Sequence, residues 1–382
     1  MSVAVLAPPG RAVDAAAARE RTGSQRFVQV LMVLGVFWLA MQTWTWIAWL
    51  ATGPVQIDRY RDTNDISWKL AWMYQGIAVA LGIGMAVYLV RQCRRERRIT
   101  FDAKLAGALL LCYWLDPAAN AFLPTYTYSS QWINLNEWVG QLPWVRNPDG
   151  GRTPEPMLLL IPVYFGGWLL FAMLINGIMR RLRARYPTLS GAWVFGVAAG
   201  VALLIDVCFE LPMFAFNLWS NQGAPRIGLL SNGGKLYPIS EMLIAVMCFS
   251  GLAALRYYRN DKGETIVERG FTATTSSGRK QAGSFLALIG LTNTFYVGMS
   301  LVWTLFGFFS GPWHAMKPWV GNAICDSPGV TGTRYGACPG SPGYTVPIVG
   351  SRPGSSPSGS DAFLNGPTQC ATCGPVTVAG KP

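Results

Sequence analysis

Four acidic residues lie within segments that are otherwise too apolar to hold a charge: Asp116, Asp206, Glu210 and Glu241. A charged side chain in hydrocarbon is costly, so each is a candidate for function rather than for solvation. Asp206 and Glu210, four residues apart, share one helix face, as do Tyr237 with Glu241, and Cys112 with Asp116 and Asn120. Pro117 follows Asp116 directly and Pro212 follows Glu210 by two, so each proline frees a backbone carbonyl beside an acid and bends the chain around a cavity. The middle of the apolar segments holds neither histidine nor lysine, which leaves Schiff-base, Ser-His-Asp and His-metal chemistry without their residues. Carboxyls by themselves support acid catalysis. A protonated carboxyl donates a proton, and an ionised neighbour stabilises a developing oxocarbenium ion, as carboxyl pairs do in glycoside chemistry. That chemistry suits loss of water, ring closure or isomerisation of an apolar substrate. Asp206 and Glu210 are expected to form the acid/carboxylate pair, with Asp116 and Glu241 as partners and Asn120, Tyr237, Gln75 and Gln42 as candidates to orient hydroxyl groups. A divalent cation on the carboxylates is the alternative, but acids on neighbouring turns do not fix a coordination geometry. A metal is therefore not expected.

The elements that position these residues are membrane spans. The chain has 382 residues, is 51% hydrophobic and only 13% charged, and holds 16 tryptophans, a composition that a solvated surface does not tolerate. Seven segments are apolar for about 20 residues or more, the length that crosses a bilayer core; they lie near 27–51, 68–90, 104–124, 156–178, 189–216, 237–255 and 283–309. The expected fold is an all-α integral membrane protein, a seven-transmembrane-helix bundle over 27–309 after a disordered cytoplasmic tail at 1–26. A net charge of +12 suggests nucleic acid in a soluble protein. Here the bases cluster at Arg11–Arg26, Arg91–Lys104, Arg180–Arg185 and Arg256–Lys280, on one side of the membrane if the N-terminus is cytoplasmic. The positive-inside rule accounts for that asymmetry, so no nucleic acid is implied. On this topology the acids count to the outer half of the membrane, Asp116 about 18 Å from the inner end of its span and Glu241 about 6 Å below the outer surface. Gln42 and Gln75 count to the same half. The structural alternative for any one acid is a hydrogen bond to a Ser, Tyr or Trp on a neighbouring helix.

From Ser310 to Pro382 the chain is rich in Gly, Pro and Ser, and little regular structure is expected. This extracytoplasmic tail carries Cys325, Cys338, Cys370 and Cys373, an even set that fits two disulfides in an oxidising compartment; a metal at Cys370-x-x-Cys373 is the weaker reading. The outer connection at 125–155, with Tyr126, Tyr128, Trp132, Trp138 and Trp144, is either a lid over the outer mouth or an interfacial aromatic belt. Trp38, Trp44, Trp46, Trp49, Trp68 and Trp72 either line a pocket or pack.

Several runs resemble the AveC-like spirocyclase family of actinobacterial membrane proteins: RRERRITFDAKLAGALLLCYWLDPAAN (94–120), YSSQWINLNEWVGQLPW (128–144), TPEPMLLLIPVYF (153–165), IDVCFELPMF (205–214) and the segment from Tyr237 to Gly270. The resemblance covers roughly residues 55 to 325. It implies an integral-membrane cyclase that closes a dihydroxyketone polyketide into a spiroketal and in some members also dehydrates the ring, with no organic cofactor. The implied partners are the lipid bilayer and an apolar, polyketide-like small molecule. The competing reading is a binding or accessory protein for lipid or secondary-metabolite handling, whose acids only fix helix packing. A proton-coupled transporter fits less well, because the acids do not continue into the inner half.

Overall fold

The computed structural model describes residues 9–57, 62–123, 125–145, 151, 153–221, 227–232, 235–271, 274–308 and 317–322. The four candidate disulfide cysteines, Cys325, Cys338, Cys370 and Cys373, lie outside the described residues. In chain order the elements are α1 (Pro9–Ala51), α2 (Ile66–Glu96), α3 (Phe101–Leu110), a 3-10 helix (Tyr113–Asn120), strands β1 (Tyr126–Tyr128), β2 (Leu135–Asn136) and β3 (Pro154–Glu155), α4 (Met157–Pro162), a π turn (Val163–Gly167), α5 (Trp168–Arg185), α6 (Gly191–Ala215), strands β4 (Trp219–Asn221), β5 (Gly228–Asn232) and β6 (Lys235–Pro238), α7 (Ile239–Tyr257), α8 (Ser277–Phe308) and α9 (Pro318–Gly321).

Among the described residues, six helices are long and apolar enough to cross a membrane: Gly23–Ala51 of α1, α2, the continuous stretch Met157–Arg185, α6, α7 and Ser277–Gly307 of α8. Their outer faces are apolar, with Val33 70% and Trp193 67% exposed, as suits helices set in lipid. The first helix begins at Pro9, so much of the segment expected to be an irregular tail continues α1. Side-chain caps start several helices: Asp65 accepts from Ser67 N ahead of α2, Thr100 from Ala103 N ahead of α3, and Ser190 from Trp193 N ahead of α6.

The segment expected as the third span has a different form. Residues 101–120 make ten residues of α-helix and, after a short break, eight of 3-10 helix. Pro117 lies within the second piece; lacking an N–H and crowding the preceding turn, it does not continue a regular α-helix. All eight residues of the 3-10 segment are buried, which is the condition under which irregular backbone is tolerated at membrane depth.

The two ends of the bundle are held differently. At the basic end, Arg256 grips Asp102 with two hydrogen bonds of 2.8 Å and donates to Asn176 Oδ1 at 2.9 Å. Lys104 Nζ donates to Glu268 at 2.9 Å and to Ser284 Oγ at 2.7 Å. These pairs tie α3, α5, α7, α8 and the loop after α7 together. Burial alone would raise Glu268, but the hydrogen bond and charge of Lys104 outweigh it and hold the carboxyl below its ordinary range. At the opposite end a cap forms, with β1 antiparallel to β4, β2 to β3 and β5 to β6. The cap is fastened to the end of α1, where Asn136 N donates to Val55 O at 2.9 Å and Trp49 Nε1 to Asn136 O at 3.1 Å. Trp132 and Trp138 are fully buried in it, so they pack the cap rather than form an interfacial belt. Thus α3 begins at the basic end and the 3-10 segment finishes at the cap.

α1 and α8 cross at two glycines. A Cβ on Gly35 would collide with the backbone carbonyl of Leu286, and one on Gly290 with that of Leu31. Small residues allow this close backbone approach, which packs helices in lipid without a hydrophobic driving force.

Candidate functional site

Asp116 is 5% exposed and four tyrosine hydroxyls surround its carboxyl. Tyr164 Oη donates to Oδ1 at 2.6 Å and lies 2.6 Å from Tyr296 Oη, itself 3.4 Å from Oδ1. Tyr126 and Tyr128 donate to Oδ2 at 3.1 and 3.2 Å, and Tyr126 also reaches the Asp116 carbonyl at 2.6 Å. The four hydroxyls arrive on three structural devices. Tyr126 and Tyr128 are alternate residues of β1, held in register by Asn221 and Trp219 of β4. Tyr164 rides on the π turn that follows Pro162; a single π turn inside an α-helix shifts the side chains around it and is a recurrent feature of functional sites. Tyr296 comes from α8.

A second group lies between α6, α7 and β6. Tyr237 Oη donates to Asp206 Oδ2 at 2.9 Å and to Glu210 Oε2 at 3.4 Å. Glu210 of α6 and Glu241 of α7 face one common hollow. Asp206 Oδ1 and Glu241 Oε2 are buried and have no hydrogen-bond partner.

The two groups meet in one cavity. Asp116, Glu210 and Glu241 line the same hollow, and its walls are mostly apolar and aromatic. Trp168 stacks on Tyr164 at 4.4 Å between ring centres and faces Tyr296 at 6.0 Å. Trp303 stacks on Tyr126 at 4.9 Å. Such ring faces attract positive charge. Trp38, Trp44, Trp46, Trp49, Trp68 and Trp72 do not line this hollow; Trp38 binds Thr294 and Trp46 packs on Trp138.

The other residues singled out from the sequence are not in the lining. Asp206 stands behind Tyr237. Asn120 holds the turn into the cap, accepting from Thr125 N and Tyr126 N at 2.9 and 3.2 Å and donating to the Glu137 carboxylate at 3.3 Å. Gln75 Oε1 accepts from Ile133 N at 3.0 Å and so braces the cap from α2. Gln42 is buried in α1, and its Nε2 has no partner.

Sequence reasoning missed Tyr164 and Tyr296, single tyrosines in apolar runs, and it missed two further acids. Glu137 and Glu155 are fully buried in the cap. Burial pushes Glu137 up to about 8; hydrogen bonds from Thr153 and Asn120 pull against it, and the negative field of Asp116 adds to it. Burial likewise raises Glu155 well above its ordinary range, with Asp116 and Glu137 adding to the effect. The connection at 125–155 reads in sequence as an aromatic lid or belt outside the spans, where an acid is unremarkable, and that conceals both. Among the described residues, no three His, Cys, Asp or Glu side chains are grouped to hold a metal ion.

A family model described as "Spirocyclase AveC-like" matches residues 96–318, more than half of the chain and the whole of the region from Asp116 to Trp303. No curated protein and no solved structure matches the chain.

Proposed function

Because the chain belongs to the spirocyclase AveC-like family, we propose that it is a membrane-embedded cyclase that closes a dihydroxyketone, polyketide-like substrate into a spiroketal by carboxyl catalysis. The observation that carries this reading is the convergence of Asp116, Glu210 and Glu241 on one largely apolar cavity. In the proposed sequence a substrate hydroxyl adds to the ketone carbon while the Glu210–Glu241 pair protonates the carbonyl oxygen, and the adding hydroxyl passes its own proton back to the pair, giving a neutral hemiketal and restoring the acid. The same pair then protonates the hemiketal hydroxyl, which leaves as water. The resulting oxocarbenium ion is stabilised by Asp116 and by the faces of Trp168 and Trp303. The second hydroxyl closes on the cation and releases its proton to a carboxylate. The balance is one water lost, with the catalytic proton returned. Shape and orientation come from the aromatic walls, and Asp206 acts through Tyr237 to hold Glu210 in place. Removal of a further water would make the protein a dehydratase as well, using the same groups.

The proposed topology has seven crossings, the third made by α3 and the 3-10 segment, with the N-terminus and basic end cytoplasmic and the cap and C-terminal tail outside. The basic residues in the last turns of α2, α5 and α7 support it. An apolar precursor would then partition from the lipid.

The test is a comparison of metabolites from a producing strain with those from a strain lacking the protein. The cyclase reading expects the latter to accumulate a precursor heavier than the product by one water, and purified membranes containing the protein to convert it. Identical metabolite profiles would refute it.

A further inference from the structure

One hydroxyl in the cavity wall has no protein partner. Ser300 lies on α8, is 6% exposed and lines the hollow, yet its Oγ makes no hydrogen bond. Serine and threonine hydroxyls in apolar helices ordinarily bond to the carbonyl one turn back. Thr43, Ser250, Thr292 and Thr304 all do so here, to Leu39, Val246, Leu288 and Ser300 respectively. Ser300 does not take the equivalent carbonyl of Tyr296. An unmade hydrogen bond in an apolar wall destabilises the empty protein, which makes the hydroxyl a feature that a bound molecule would satisfy.

Its position says what that molecule carries. Tyr296, Met299, Ser300 and Trp303 form the stripe of α8 that faces the cavity, with the spacing of one helix face. Ser300 is four residues, about 6 Å along the axis, beyond the tyrosine that reaches Asp116. Met299 and Trp303 flank it with apolar surface. An oxygen bound at Ser300 would thus sit on the same molecule as the reacting carbon but several bonds away, in otherwise apolar surroundings.

We propose that Ser300 is a substrate-positioning residue that hydrogen-bonds a hydroxyl or carbonyl oxygen remote from the ring-forming carbon, and that it selects substrates carrying oxygen at that place. This inference rests on the cyclase reading. The experiment uses membranes containing the full chain and the precursor extracted from the strain that lacks it. Ser300→Ala is expected to raise KM about five- to tenfold with kcat within about twofold, the size of one lost neutral hydrogen bond. Ser300→Thr, which keeps the hydroxyl, is expected to stay within about twofold of the parent in both constants. Without precursor, Ser300→Ala is expected to melt at or above the parent temperature, because it removes an unsatisfied polar group. An unchanged KM in Ser300→Ala, or a raised KM accompanied by a lower melting temperature, would overturn the role of Ser300 while leaving the cyclase reading intact. Parent membranes that leave the precursor unconverted would overturn both.

Discussion

The Tyr164 hydroxyl lies 2.6 Å from Asp116 Oδ1 although 48 residues separate them in sequence, and the backbone on both sides of this bond is irregular. Asp116 is in a 3-10 segment and Tyr164 in a π turn. A regular α-helix at either place would rotate these side chains, since each irregular turn changes the angle per residue. Local backbone distortion therefore makes the contact, and the contact gives Asp116 its closest side-chain donor.

Substitution at this pair should separate catalysis from folding. Asp116→Asn is expected to lower turnover of the precursor by about 100-fold or more, the usual scale for losing a carboxyl that acts in proton transfer or charge stabilisation. Tyr164→Phe, which removes one hydroxyl and keeps the ring against Trp168, should cost about tenfold. Both proteins should reach normal membrane levels. Normal turnover in Asp116→Asn would remove this carboxyl from the mechanism.

Glu210 and Glu241 line the cavity, whereas Asp206 is reached only through Tyr237. Glu210→Gln and Glu241→Gln should each lose about 100-fold or more in turnover, and the double variant little beyond either single one, because residues acting as a unit are not additive. Asp206→Asn and Tyr237→Phe should show smaller, matching losses. A fully active Glu210→Gln protein would contradict the assignment of the proton donor.

The cap acids predict how stability depends on pH. Glu137 is pushed up to about 8 from an ordinary value of 4.5, so between these limits the folded protein holds a proton that the unfolded chain has lost. The stabilising contribution is complete below the ordinary glutamate range, is lost as pH rises toward 8, and changes no further above it. Melting temperature should accordingly fall across this window, and Glu137→Gln should make the slope shallower. Equal slopes in the two proteins would show that Glu137 is not the titrating group.

At the basic end, Arg256→Ala leaves the Asp102 carboxylate buried without its cation. The expected loss of stability is about 3 kcal/mol, the scale for breaking one side of a buried ion pair. Asp102→Asn in the same chain should recover part of it. Thermal unfolding in detergent is the measurement, and additive losses in the double variant would mean that the pair is not coupled.

Gly290→Val tests the crossing of α1 and α8. Its side chain would occupy the space of the Leu31 carbonyl, and backbone cannot yield as a flexible side chain does. A loss of about 2–3 kcal/mol and a reduced membrane level are expected. A variant that accumulates and melts like the parent would show that the two helices do not meet there.

Much of the arrangement is legible in particular residues. Seven apolar runs are legible in the sequence, and six of them are, among the described residues, helices long and apolar enough to cross a membrane; the basic clusters after α2, α5 and α7 mark one end of the bundle. The quoted runs around Asp116 and Glu210 carry the family resemblance. Asp206, Glu210 and Tyr237 can be grouped as neighbours from helix spacing and chain order. The form of the third segment is harder to read, because Pro117 signals a break without saying whether the chain bends, tightens or stops.

The sequence alone therefore determined the membrane setting, the family and the acids available for chemistry, because hydrocarbon tolerates so few charges that each one is conspicuous. Only the tertiary structure decided that Asp116, Glu210 and Glu241 share a cavity, that Tyr126, Tyr128, Tyr164 and Tyr296 surround Asp116, and that Glu137 and Glu155 are buried in the cap. The reason is that a helix in lipid is apolar on the side facing its neighbours and on the side facing the bilayer. Its periodicity does not say which way it turns, and that is left to the packing of glycines, irregular turns and cap strands.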